Sequence, residues 1–226
     1  VEFGNLIQHF PSGIRWLNLE LSIAAYKQAL VVFTKQARPL TWAIIMMNLA
    51  TSYKERIQGD RSENIEQGIA TYKQALTVLT MHDNPAEWAA TQMNLATGYN
   101  VRIQGDRAEN IEKAIKAYEQ ALTIRTQQTM PDDWAITMMN LGLTYSNRVY
   151  GERAENIEQS LLAYEQALTV VTQQRMPLIW AAIMMNMGLA YSRRIQGDHA
   201  ENIESAIAAY EQTLTVATQQ DMPVNW

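Results

Sequence analysis

The chain has 226 residues, of which 47% are hydrophobic and 18% charged, with a net charge of −5 and no cysteine. This is the composition of a folded chain long enough to bury a large core, and it excludes disulfides, thiolate nucleophiles and cysteine metal sites. An acidic balance without a basic patch excludes an electrostatic nucleic-acid or membrane surface, and no apolar run reaches the roughly 18 residues that a bilayer span needs.

Residues 1–41 come first in the chain, and the period of the rest gives them their frame. Tryptophans stand at 42, 88, 134, 180 and 226, each 46 residues after the last. A fixed period of about 20–50 residues indicates a solenoid or array. In that frame Gly13 falls where Gly59 does, Asn18 on Asn64, Tyr26 on Tyr72 and Pro39 on Pro85. Residues 1–41 are therefore a degenerate unit lacking most of its first half, expected to cap the array. Leu17 and Leu21 replace Glu63 and Gln67 there, which predicts contact with Phe3 and Phe10, an upstream repeat or a partner. Beyond them lie four full units, 42–87, 88–133, 134–179 and 180–225. The whole chain, 1–226, reads as a single solenoid.

Each unit opens on a helical pattern: Trp42, Ile45, Met46, Leu49, Tyr53 and Ile57 recur at steps of three and four, one face of a helix. The corner comes next, as "RIQGDRSENIE" from Arg56, "RIQGDRAENIE" from Arg102, "RVYGERAENIE" from Arg148 and "RIQGDHAENIE" from Arg194. Gly105 suits a left-handed stop after the first helix. Asp106 and Glu109 have the spacing of a capping box for the second, and Asp106, Glu109 and Glu112 place negative charge at the positive end of its dipole. Arg56, Arg102, Arg148 and Arg194 end the first helices, where they favour the dipole and can pair with the acid of the next corner. Carboxylates that climb a helix do not converge as calcium requires, and they repel phosphate from these arginines. Ile65, Ile69, Tyr72, Leu76 and Leu79 then trace a second helix. Pro39, Pro85, Pro131, Pro177 and Pro223 belong in the connection or in the first turn of the next helix. The predicted fold is all-α: a right-handed α-solenoid, or superhelix, of stacked antiparallel helix hairpins.

"NLATGY" at 94–99, "AIKAYEQAL" at 114–122 and Pro131 resemble the tetratricopeptide repeat (TPR), with Leu95, Ala96 and Tyr99 on its first helix and Ala114, Tyr118, Ala121 and Pro131 on its second helix and stop. The unit departs from the common 34-residue form by 12 residues, roughly 18 Å of extra helix and loop. The family's first-helix Trp position holds Met46, Gln92, Met138 and Met184. The wording of the repeat also resembles bacterial, notably cyanobacterial, arrays, some attached to caspase-like CHAT protease domains; no protease signature occurs in this sequence.

The resemblance implies protein–protein interaction. It places Asn48, Asn94, Asn140 and Asn186 where some TPR proteins carry the asparagine that lines a concave groove and bonds a bound peptide's main chain. A carboxamide both donates and accepts, so it can pair with any peptide unit; the same side chains could instead bond neighbouring helices. Beside them, Glu55, Val101, Asn147 and Arg193 vary, as do Thr51, Thr97, Leu143 and Leu189, and would set partner preference. Met47, Met93, Met139 and Met185 suit either the groove or packing between first helices, with packing favoured. The tryptophans, Tyr53 and Tyr72 with their copies are expected in the core.

His9, His82 and His199 occupy different repeat positions, so no catalytic or paired-ligand set assembles. The chain is expected to be no enzyme, to need no cofactor or metal, and to bind a protein or peptide partner rather than nucleic acid or membrane. A structural spacer, or a module associating end to end, is the alternative. A first residue other than Met and a last at Trp226 read as those of a fragment, for instance the regulatory array of a larger protein, with a cytoplasmic location expected.

Overall fold

The computed structural model describes residues 2–8 and 14–216, and every regular element among them is an α-helix. His9, Phe10, Gly13, Pro223 and Trp226, and the side chain of Phe3, lie outside the described residues. The chain divides into two compact units, residues 1–124 and 125–226.

In the first unit, α1 (Glu2–Gln8) pairs with α2 (Arg15–Val32), α3 (Pro39–Glu55) with α4 (Arg61–Ala75), and α5 (Pro85–Asn100) with α6 (Arg107–Leu122). Successive hairpins stack through α2 on α3, α4 on α5, and α3 beside α5. In the second unit, α7 (Pro131–Ser146) pairs with α8 (Arg153–Leu168) and α9 (Pro177–Ser192) with α10 (His199–Leu214); the hairpins stack through α8 on α9, and α7 beside α9. Each unit is thus a stack of helix hairpins in which neighbours bury one another's apolar faces, the packing rule of α-solenoids. α1 has seven residues, against 17 in α3 and 16 in α5.

The sequence explains the helix ends. Pro39, Pro85, Pro131 and Pro177 each open a first helix, where the missing amide proton costs nothing. At the corners Gly59, Gly105, Gly151 and Gly197 hold φ values of 82°, 78°, 79° and 80°, the left-handed stop that an L side chain resists. Asp60, Asp106 and Asp198 then accept the backbone N–H of Glu63, Glu109 and Glu201 at 2.8, 2.8 and 3.0 Å. The capping box closes on this side only: Glu109 turns outward to Lys113 at 3.1 Å. Glu152, one methylene longer, makes no side-chain cap.

The core follows the hydrophobic period, with one shift. Ile23, Tyr26, Ile45, Leu49 and Tyr53 form a cluster that joins α2 to α3, and Ala43, Met46, Ala75 and Leu79 form another against which Trp42, Met47 and Trp88 pack. Trp88 belongs to the following hairpin, so the tryptophans do knit neighbouring repeats. Ile57 departs from the expected apolar face. Because α3 stops at Glu55, Ile57 lies in the corner and is 59% exposed. Part of the extra repeat length is spent in the connection between hairpins, where Leu79 and Val171 are buried although they lie beyond the second helices.

Arg125 takes that same position in the repeat and is also buried, at 4% exposure. Its Nη1 donates to Thr137 Oγ1 at 3.2 Å and its Nη2 lies 3.6 Å from the Asp133 carboxylate, while Nε has no partner. Burial pulls its pKa down, and Asp133 opposes that pull.

Candidate functional site

The corner loop, the most site-like string in the sequence, is engaged in holding hairpins together. Arg56 Nε and Nη2 donate to the two carboxylate oxygens of Glu20 at 2.6 and 2.8 Å; Arg102 does the same with Glu66 at 2.6 and 2.8 Å, and Arg194 with Glu158 at 2.8 and 2.8 Å. These arginines therefore do not pair with the acid of the next corner. That acid is used as the N-cap, and the guanidinium fork reaches back 36 residues to the second helix of the preceding hairpin. The paired charge-assisted bonds hold Glu66 below the ordinary carboxylate pKa, with the Arg102 hydrogen bond as the main cause, against burial.

Two further parts of the corner go beyond what spacing predicts. Asn64, Asn110, Asn156 and Asn202 are buried, and each Nδ2 donates across the corner to a backbone carbonyl, that of Gln58, Gln104, Tyr150 or Gln196, at 2.8 to 2.9 Å. The second arginine of the motif, Arg61, Arg107 or Arg153, donates to a carbonyl in the last turn of the first helix, that of Lys54, Asn100 or Ser146. It supplies the C-terminal capping expected of Arg56, Arg102, Arg148 and Arg194. The signal for both was the recurrence of "R-S-E-N-I" or "R-A-E-N-I" beyond the glycine.

The asparagines of the first helices behave differently. Asn48, Asn94, Asn140 and Asn186 are all half-buried, on α3, α5, α7 and α9. Asn48 Nδ2 donates to Asn5 Oδ1 on α1 at 2.9 Å, and the same oxygen accepts from Tyr26 at 2.6 Å. Among the described residues no hydrogen bond engages the carboxamide of Asn94, Asn140 or Asn186. Because α3 packs beside α5 and α7 beside α9, the residues come in two pairs: Asn48 with Asn94 in the first unit, Asn140 with Asn186 in the second.

Two turns on, Val101, Asn147 and Arg193 are the exposed C-caps of their helices, and Glu55 is the last residue of α3. A seven-residue step puts each on the same side of its helix as the asparagine, about 10 Å along the axis. Two of the four have local partners: Glu55 is salt-bridged to Arg15, and Asn147 donates to the carbonyl of Leu143 at 2.9 Å. Of the methionines, Met47 packs against the core, while Met185 is 50% exposed.

Between these positions runs a set of tyrosine hydroxyls. Thr51 meets Tyr72 Oη at 2.7 Å, and Thr97 meets Tyr118 Oη at 3.3 Å. Leu143 stands at the threonine position in the second unit, and Tyr164 Oη is buried with no hydrogen-bond partner. Burial raises the pKa of Tyr26 to about 12 and drives those of Tyr72 and Tyr164 up as well.

Residues 180–214 match the tetratricopeptide repeat family; they span α9 and α10, one hairpin. The chain is similar to the crystal structure of BtubC (BKLC) from P. vanneervenii, with a TM-score of 0.68 and 18% identity over 94% of this chain and 76% of that one. At that identity the likeness concerns the fold. No curated protein matches. No helix among the described residues is long and apolar enough to cross a membrane.

Proposed function

The chain is a TPR-like repeat protein, and we propose that it binds an extended segment of a partner protein along its first helices, with Asn48, Asn94, Asn140 and Asn186 capturing the main chain. The observation that carries this reading is the free state of three of the four carboxamides. Every other asparagine that recurs through the repeats, the Asn64 series, is buried and consumed by a backbone carbonyl. Asn94, Asn140 and Asn186 stand half-buried on helix faces with donor and acceptor unspent. Helices packed side by side lie about 8–10 Å apart, and an extended chain rises about 3.3 Å per residue. Within each unit the two rungs would then meet peptide units of the segment roughly three apart. Capture of this kind is indifferent to side chains, and selectivity falls to the varied positions Glu55, Val101, Asn147 and Arg193. The unbroken 46-residue register supports reading 1–226 as one array for this purpose.

The first rung is partly occupied from within. Asn5 accepts the Asn48 amide proton, leaving Asn48 Oδ1 to accept. Asn5→Ala is expected to restore the full rung.

The experiment is a selection of linear peptides from a random display library, followed by NMR of the 15N side-chain amides. Binding is expected to move the Asn94, Asn140 and Asn186 carboxamide resonances. Peptides N-methylated at the contacted residues are expected to lose affinity. Selected peptides that bind with all three carboxamides unmoved would refute the reading.

A second reading, end-to-end self-association as a structural module, draws on α10. Ile207 is 45% and Tyr210 38% exposed, where their counterparts Ile69 and Tyr72 are 3% and 0% exposed. Light scattering that grows reversibly with concentration, without ligand, would favour it.

A further inference from the structure

In the first unit a lysine of α2 and one of α4 each lie over a tyrosine of the next hairpin, while α6 already carries Glu119 at that position. Lys27 Nζ is 5.6 Å from the Tyr53 ring centre, and Lys73 Nζ is 5.6 Å from that of Tyr99. These are cation–π distances. In the second unit the corresponding pair is Glu165 and Tyr191, and Leu162 stands where Ala24, Ala70 and Lys116 stand in the first. The lysine has been exchanged for a carboxylate, and the ring has been kept.

A cavity of about 330 Å³ opens at that place, lined by Glu158, Leu161, Leu162, Glu165, Tyr191 and Arg194, among others. The Arg194 guanidinium is 6.0 Å from the Tyr191 ring centre, but its Nε and Nη2 donate to Glu158 and its Nη1 to Asn202, so the Arg194 and Glu158 charges cancel. Among the described residues Glu165 has no ion pair or hydrogen bond, and it leaves the cavity with one net negative charge. Leu162 is 47% exposed and offers an apolar wall. The negative potential is felt by the ring itself: the Tyr191 hydroxyl is held above its ordinary pKa by burial first and by Glu165 second. A carboxylate beside an aromatic face is an unfavourable pair that a cation between them converts into two favourable ones.

We propose that this cavity takes the ammonium group of a lysine side chain from a partner protein, seated between Tyr191 and Glu165, with the lysine stem along Leu162. The first unit holds the template for the occupant, since its own lysines fill the equivalent place. The site is separate from the asparagine rungs: Tyr191 follows Asn186 by five residues, about 140° round α9.

The test is titration of the full chain with n-butylammonium chloride, read by NMR of the Tyr191 ring and the Leu162 methyls, against sodium chloride at equal ionic strength and n-butanol at equal concentration. Saturable shifts in the millimolar range are expected with the ammonium alone. Glu165→Gln is expected to weaken binding about three- to fivefold, and Tyr191→Phe, which keeps the ring, to leave it intact. Glu165→Lys is expected to abolish the titration, because an internal ammonium then occupies the ring as Lys73 does. Asn186→Ala is expected to change nothing, so failure of the rung reading and failure of this one are distinguishable. Shifts that follow sodium chloride, an equal response to n-butanol, or an unchanged titration in Glu165→Gln would each overturn the proposal.

Discussion

Removing the hydroxyl of Tyr164 is expected to stabilise the protein, although the same change at the equivalent Tyr72 is expected to destabilise it. Both rings are fully buried. Tyr72 Oη shares a 2.7 Å hydrogen bond with Thr51, whereas Leu143 replaces that threonine beside Tyr164. The Tyr164 Oη and the neighbouring Ser160 Oγ, four residues back on α8, are both buried without a well-formed hydrogen bond. A net intramolecular hydrogen bond contributes about 0.5–1.5 kcal/mol, and a buried polar group left unpaired costs about 1–3 kcal/mol in lost hydration. Tyr72→Phe should therefore cost about 1 kcal/mol, and Tyr164→Phe should gain about the same. Leu143→Thr supplies the missing partner by the other route and should remove the benefit of Tyr164→Phe when the two are combined. The assay is urea denaturation followed by tryptophan fluorescence, with the midpoint compared at constant slope. Equal destabilisation by Tyr72→Phe and Tyr164→Phe would refute the reasoning.

The other expectations concern the corners and one buried charge. Glu152→Asp should give α8 the cap its neighbours have and raise stability by about 1 kcal/mol in the same denaturation assay. Gly105→Ala, at φ 78°, should lower it by about 1 kcal/mol, since an L side chain strains the left-handed region. Arg125→Leu should leave stability unchanged or raise it, because Leu79 fills the same position with no unpaired polar atom; a lower midpoint would show the buried guanidinium to be favourable. Glu66 has its folded-state pKa depressed below the ordinary 4.5. The stability it contributes is therefore complete above that value and is lost as pH falls below it toward the depressed folded-state pKa. Glu66→Gln should lower stability at neutral pH and flatten this part of the acid-unfolding profile.

Much of the architecture could be read from spacing alone because a repeat puts the same local physics in register many times. Tryptophans at a constant interval, glycine before an acid, and proline opening α3, α5, α7 and α9 are local signals, and the helices begin and end by local rules. Contacts between hairpins are a different matter. Arg102 had an acid four residues away, at Asp106, and its real partner Glu66 was 36 residues back; only stacking brings α4 against the end of α5. Arg107 and Asn110 acquire their roles from a backbone that folds back on itself, which no side-chain period records. Arg125 was visible as a break in an apolar position, but its burial depends on the connection that carries it. Of the candidate site, the asparagine positions were legible from the repeat, while the difference between consumed and unspent carboxamides needed the partners in space.

The most direct measurement is the affinity of a library-selected linear peptide for the wild-type chain and for the variant carrying Asn94→Ala, Asn140→Ala and Asn186→Ala, determined by calorimetry at one salt concentration. Each carboxamide that gives and receives one hydrogen bond is worth about 1–2 kcal/mol, about tenfold per rung. The account predicts a loss of at least a hundredfold for the triple variant with its helix content and denaturation midpoint preserved. An affinity within threefold of the wild type, with the fold intact, would contradict it.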